Sequence, residues 1–151
     1  MNKAIDLHVH STASDGTFTP TELVAEAKRC GLAAFALTDH DTVDGVSEAL
    51  AAGKASGLEV IPAVELSTEY NGTEIHVVGL FIDPANVKLQ AELAKFRDNR
   101  DNRNLKMVKK LQDEGFRITA EELYRLNPET VVARPHIARY LVDSGQVKDM
   151  K

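Results

Sequence analysis

The sequence predicts an α/β fold built on a parallel sheet, and three observations carry that prediction. Apolar or alternating runs at residues 5–10, 33–38 and 58–66 read as strands. Helix-period segments lie between them, over about residues 20–30 and 46–56, and stop at Gly31 and Gly57. Strand–helix–strand–helix–strand order calls for right-handed crossovers and parallel pairing. The third observation is where the polar residues fall. The first three strands end abruptly in His10, His40 and Glu65, and parallel sheets gather their chemistry at the carboxyl ends of strands.

Composition sets the limits. A chain of 151 residues with 43% hydrophobic content fits one globular domain or part of one. With no Trp and 5% aromatics, the core is aliphatic. The one cysteine, Cys30, excludes an internal disulfide and suggests a reducing, cytoplasmic compartment. Beside Gly31, it reads as a small buried hydrophobe. Met1-Asn2-Lys3-Ala4 runs straight into the first strand, with no signal peptide and no membrane-spanning run, so no membrane partner is expected. The net charge of −5 argues against general affinity for double-stranded DNA and leaves room for a local phosphate site.

The first strand alternates: Ile5, Leu7 and Val9 point one way, Asp6, His8 and His10 the other. The two imidazoles stand about 7 Å apart, a workable bite for one metal ion. Thr19-Pro20-Thr21-Glu22 reads as a capping box opening a helix whose buried stripe is Leu23, Val24 and Ala27. After the third strand, Asn71-Gly72 signals a two-residue hairpin. Tyr70 then faces Thr73, Ser67 faces His76, and Glu65 is the diagonal neighbour of His76. The antiparallel turn thus returns His76 to the rim that carries Glu65.

Beyond Ile82-Asp83-Pro84 the pattern is helical. Leu89, Leu93, Phe96, Leu105, Val108 and Leu111 mark one long helix or a broken pair ending at Gly115. Thr119 to Glu122 is a second capping box, Arg134-Pro135-His136 opens a helix stopping at Gly145, and a last helix is expected near Gln146. The division near Pro84 predicts two units, a strand-and-helix part over 1–84 and a helical part over 85–151.

Three strand ends and one hairpin return place His8, His10, His40, Glu65 and His76 on one rim, with Asp15 on the loop leaving the first strand. Four of the chain's five histidines are here. Mixed imidazole and carboxylate donors suit Zn, Mn or Fe better than Ca or Mg. A bridging carboxylate among several imidazoles suggests a multinuclear hydrolytic site that activates water and clamps phosphoryl oxygens. No Walker loop, Gly-x-Gly-x-x-Gly or Gly-x-Ser-x-Gly motif is present.

Five stretches carry a resemblance: residues 6–11 (DLHVHS), 14–16 (SDG), 37–41 (LTDHD), 62–65 (PAVE) and 74–79 (EIHVVG). Together they resemble the polymerase-and-histidinol-phosphatase (PHP) domain family of metal-dependent phosphoesterases. The nearest likeness is to the branch that hydrolyses nucleoside 3′,5′-bisphosphates and trims short or 5′-phosphorylated RNA from its 5′ end. That branch carries a helical insertion with an Arg-Pro-His-Ile-Ala stretch like residues 134–138. The resemblance implies the N-terminal half of a distorted seven-stranded (β/α) barrel, followed by a helical insertion. It implies up to three divalent ions (Mn, Fe or Zn): His8, His10 and Glu65 for the first, Glu65 and His76 for the second, Asp15 and His40 for the third. Glu65, His40 and Asp15 take the catalytic roles. The family domain continues to further strands with another His or Cys ligand and a late Asp-x-His pair, which this sequence does not contain. Incomplete metal occupancy is therefore expected.

Arg134 and His136 flank Pro135 at a helix start, which favours anions; they read either as a capped surface helix or, as the matching family stretch implies, as groups that contact substrate phosphate from a lid over the metals. Arg97, Arg100, Arg103 and Lys106, interleaved with Asp98 and Asp101, read instead as a solvated helix face. Two other readings compete: a non-catalytic interaction module, and an amidohydrolase barrel, which also uses His-x-His but wants a metal-bridging lysine that no strand end here offers. Four strands cannot close a seven-stranded barrel. The sheet is expected to keep two open edges and an exposed inner apolar face, inviting self-association.

Overall fold

The computed structural model describes residues 4–150. The Met1–Lys3 start, read above as leader-free, lies outside them. The order is β1 (Ile5–Val9), α1 (Pro20–Arg29), β2 (Ala34–Leu37), α2 (Val46–Ser56), β3 (Glu59–Tyr70), β4 (Thr73–Leu80), α3 (Val87–Asp113), α4 (Ala120–Leu126) and α5 (Arg134–Asp143). The sheet runs β1-β2-β3-β4. The first three strands are parallel and β4 is antiparallel to β3. The sheet curls into a half-barrel.

Local chemistry explains the elements. Thr19 Oγ1 accepts the Glu22 N–H, and the Glu22 carboxylate accepts the Thr19 N–H at 2.8 Å, so α1 opens on the expected reciprocal cap. The hairpin register is the one counted outward from Asn71-Gly72, with Tyr70 opposite Thr73 and Ser67 opposite His76. Both loop residues have positive φ, 52° and 77°, as the favoured hairpin turn requires.

One aliphatic core lies under the sheet. Phe35, Leu37 and Val64 meet Leu23 and Val24 of α1, Val46 and Ala49 of α2, and Leu93 of α3. A separate core joins Val108, Ile118, Leu123, Val132, Ile137 and Leu141. The inner side of the sheet holds the small cluster Ala36, Ile61 and Ala63 with Leu80 beside it.

The edges are open at β1 and β4, as expected, and the apolar exposure lies at those edges rather than over the middle of the inner face. Ala36, Ile61 and Ala63 are buried. The exposed side chains are Ile5 and Leu7 on β1 and Ile75 and Val77 on β4. On β4, Ile75 and Val77 share the helix-facing side with Leu66, at an edge that neither α1 nor α2 reaches; on β1 the register shifts between Asp6 and Val9, so the expected alternation of Ile5, Leu7 and Val9 fails there, with Ile5 beside Ala34 and Val9 beside Leu37.

Three further expectations are corrected. Cys30 is exposed, because it closes α1 at its solvent end, with its thiol beside the Glu26 carboxylate. No helix forms near Gln146: its side chain bonds the Arg117 backbone N–H and C=O instead, holding the chain across the α3–α4 turn. The basic series of α3 is not a solvated face. Arg100 is 4% exposed, and Arg97 and Arg103 turn toward the sheet, leaving Lys106 exposed. Among the described residues no helix is long and apolar enough to cross a membrane.

Candidate metal centre

Backbone pairing brings the rim together. Past the end of β2 the chain keeps one parallel bridge to β3, with Asp41 N–H on the Glu65 carbonyl (2.9 Å) and Glu65 N–H on the Asp39 carbonyl (3.1 Å). His40 and Glu65 are thereby set side by side. The chain then turns sharply at Asp41, φ 54°, a left-handed position that Asp tolerates better than most residues.

The loop after β1 is tied from below by Asp39. This buried carboxylate accepts the Ser11 N–H at 2.7 Å and the Ser11 and Ser14 hydroxyls, each at 2.6 Å. Gly16 closes the loop on the Ser11 carbonyl, and a Cβ there would lie 2.2 Å from the His10 carbonyl oxygen. Asp15 is thus presented to the rim: Oδ1 lies 3.0 Å from His10 Nδ1 and Oδ2 lies 3.6 Å from His40 Nε2.

Glu65 is the hub. Its Oε2 lies 2.7 Å from His8 Nε2, 2.9 Å from His10 Nε2 and 3.6 Å from His40 Nδ1, and its Oε1 lies 2.8 Å from His76 Nδ1. The rings follow one another at centroid distances of 5.1, 4.5 and 5.0 Å from His8 through His10 and His40 to His76. Three groups can each offer three converging donor atoms: His8–His10–Glu65, His10–Asp15–His40 and His40–Glu65–His76. All six rim residues expected from the sequence meet here.

The electrostatics suit a cation. Burial, opposed by Asp15 and reinforced by Arg100 and His10, pushes His40 down to about 4, so its imidazole is neutral near pH 7. Burial would raise Asp15, but the His10 hydrogen bond and the nearby imidazoles outweigh it and hold the carboxyl at about 2. Glu65 is lowered too: burial opposes, and His8, His40 and His76 prevail. His10 goes up, because Asp15, Glu65 and Asp39 overcome its burial. The ionised Asp15 and Glu65 carboxylates and the neutral His40 imidazole are in the forms that ligate metal, and a cation would displace the proton that the acids favour on His10. His40 Nδ1 adds a direct sign: it is buried with no hydrogen-bond partner, although buried polar atoms are rarely left so. The residues present therefore fit a divalent metal.

Arg134 and His136 stand apart from this hub. Arg134 Nη2 donates to Glu74 Oε2 at 2.6 Å. His136 Nδ1 accepts the Ala133 N–H at 2.9 Å, capping α5, and burial lowers its pKa. Three supporting residues, Asp39, Asp41 and Glu74, were given no role from the sequence, and Arg100 was read there as part of a solvated face. Asp39 ties the loop, and Asp41 accepts from Arg100 Nε (2.9 Å) and the Ser67 N–H (2.8 Å). Arg100 also donates to the Ser67 hydroxyl, and Glu74 meets His76 Nε2 at 3.2 Å. Asp39 and Asp41 flank His40 in the recognised stretch and could have been found by asking what holds a buried acid at a strand end.

A curled α/β sheet whose carboxyl-end rim gathers imidazoles and carboxylates able to bind metal defines the fold of metal-dependent phosphoesterases. The chain belongs to the PHP domain family, whose profile matches residues 6–147. It is 42% identical over 149 residues to a 5′-3′ exoribonuclease of Haemophilus influenzae, covering 99% of this chain and 54% of that protein. It is 43% identical to a 3′,5′-nucleoside bisphosphate phosphatase of Chromobacterium violaceum, covering 97% and 52%. A solved structure of a Chromobacterium violaceum amidohydrolase with bound sulfate and no metal superposes with a TM-score of 0.87 at 43% identity, covering 97% and 52%. The chain spans about half the length of the curated relatives it matches.

Proposed function

We propose that the rim is the metal-binding part of a phosphoesterase site acting on nucleotide phosphomonoesters, such as nucleoside 3′,5′-bisphosphates, or on the 5′ ends of short RNA. The observation that carries this reading is Glu65, whose two carboxylate oxygens reach four imidazoles between them. His8, His10 and Glu65 would hold one ion, Glu65 and His76 a second, and Asp15 and His40 a third, with Mn, Fe or Zn suited to the donors. Such ions supply Lewis acidity toward phosphoryl oxygens and lower the pKa of a water.

The chain's own residues do the rest. Glu65 would be shared between two of the ions, and Asp15 brings negative charge from the loop. His40, kept neutral by burial, offers lone pairs rather than protons. Arg134, exposed at the start of α5, supplies a guanidinium fork for substrate phosphate, and His136 sits one turn edge away in the same helix start. In this reading residues 1–84 form the catalytic unit, residues 85–151 cap it, and the protein works in the cytoplasm without double-stranded DNA or a membrane as partner.

Phosphate release from adenosine 3′,5′-bisphosphate, measured with Mn²⁺, tests the proposal on any polypeptide carrying this segment that turns over. Glu65→Ala and excess chelator should each remove the activity. Full turnover in either condition refutes the assignment.

A further inference from the structure

The loop that presents Asp15 is held from two sides, and only one of them belongs to the sheet. There the Asp39 carboxylate takes the Ser11 N–H and the hydroxyls of Ser11 and Ser14. Within the loop the Ser11 carbonyl takes the Ser14 and Gly16 N–H groups, and the Ser11 hydroxyl takes the Ala13 N–H. The Thr12 and Ala13 carbonyls are taken up instead by the stretch between α4 and α5. Thr130 Oγ1 donates to the Thr12 carbonyl at 2.9 Å across 118 residues of sequence, and the Val131 N–H donates to the Ala13 carbonyl at 3.0 Å. That stretch is itself anchored. Glu129 turns it at φ 58°, a left-handed position that a glutamate keeps only where its surroundings fix it. The Val132 carbonyl then accepts from Asn104 Nδ2 of α3 at 2.9 Å, and both residues are buried. Beside the two bonds lies a cleft of about 970 Å³, lined by Thr12 and Ala13 of the loop and by residues 127–132. Directional bonds, rather than a packed apolar floor, therefore fix the loop on this side.

We propose that Thr130 is a positioning residue: by holding the Thr12 carbonyl it keeps Asp15 against His10 and His40, so that the helical part of the chain sets how tightly the His10–Asp15–His40 group holds its ion. The proposal rests on the metal reading of the rim. Of the two rim carboxylates, Glu65 is fixed within β3, and Asp15 is carried by this loop. Thr130 thus acts through the loop, and on the one group of donors that Asp15 completes.

The test is a double-mutant cycle on the full 151-residue chain, with Mn²⁺ binding read by paramagnetic resonance and amide exchange read in chelator. Thr130→Val removes the donor and keeps the shape. It should weaken Mn²⁺ binding roughly fivefold, the scale of one neutral hydrogen bond, and Thr130→Ser, which keeps the hydroxyl, should restore binding to within about twofold. In an Asp15→Asn chain, adding Thr130→Val should change binding by less than about 1.5-fold, because the residue it acts through is already gone. An equal loss in both backgrounds, a loss that Thr130→Ser does not restore, or no loss overturns the proposal. Without metal, the Ser14 and Gly16 amides should exchange roughly fivefold faster in Thr130→Val, while those of Asp41 and Glu65, bonded between β3 and the end of β2, keep the parent rate. A change shared by all four amides, or by none, contradicts it. If Thr130→Val does not fold, Thr130→Ala goes through the same cycle under the same criteria. A parent chain that binds no Mn²⁺ sinks the rim reading, and the exchange rates then decide whether Thr130 orders the Asp15 loop.

Discussion

The sheet with α1 and α2 closes on an aliphatic core, and the segment from α4 onward closes on another, but the contact between them is made of a different material. Along α3 the buried residues are Leu93, then Arg100 and Asn104, then Val108. The two ends of the helix belong to the two cores, and its middle is polar. The joint there is a set of directional bonds. Arg97 donates to the Asp41 carbonyl, Arg100 to Asp41 and Ser67, and Asn104 to the Val132 carbonyl. Thr130 donates to the Thr12 carbonyl, and the Val131 N–H to that of Ala13. The Asn104 bond ties α3 to the second part alone, and every sheet-side partner lies next to the rim: Asp41 follows His40, Ser67 lies two residues past Glu65, and Thr12 and Ala13 lead to Asp15. Apolar burial holds each part together, and hydrogen bonds set one part's position on the other. A buried ion pair is weak evidence of net stabilisation, but it fixes geometry, and losing one partner is costly.

Substitutions on either side of the joint probe this contrast. Arg100→Ala leaves Asp41 buried without its cation and should cost about 3–5 kcal/mol in denaturant unfolding, as much as a large core truncation. A loss under about 1 kcal/mol would mean that the joint bears no strain from the uncompensated charge. Asp39→Ala acts inside the sheet part. Stranding three donors should cost about 3 kcal/mol and loosen the loop that presents Asp15, visible as faster amide exchange at Ser11 and Ser14. Unchanged exchange there would detach Asp39 from loop order. The smallest effect is a pH dependence at the joint's edge. Arg134, with His76 and Arg103, holds the Glu74 carboxyl at about 2, below its ordinary 4.5. A depressed carboxyl stabilises the fold above its unfolded value and loses that contribution as pH falls toward the folded one. Glu74→Gln should therefore narrow the loss of stability between about pH 4.5 and 2 relative to the parent chain, and superimposable profiles would contradict the pairing.

Much of the sheet part is legible because its rules are local. Alternation and glycine stops mark the strands and helices, and Asn71-Gly72 alone sets a register that brings Ser67 opposite His76 and Glu65 within bonding distance of it. The joint is not legible in this way. Arg100 lies 59 residues from Asp41, and Arg134 lies 60 from Glu74. A basic residue at every third position of a helix looks the same whether it meets water or a distant carboxylate. The same blindness hid the edges: alternation shows neither the register shift between Asp6 and Val9 on β1 nor that the helices stop short of Ile75 and Val77 on β4. Cys30 and Gln146 failed for a smaller reason, each sitting at a helix end where one side-chain contact decides the outcome.

The claim that everything else depends on is that the rim is a metal centre. Mn²⁺ binding to the 151-residue chain, followed by the loss of the free-ion paramagnetic resonance signal, tests it most directly. Saturable binding at neutral pH is expected, which Glu65→Ala abolishes while Glu69→Ala leaves it unchanged. Undiminished binding in Glu65→Ala, or none in the parent chain, would contradict it.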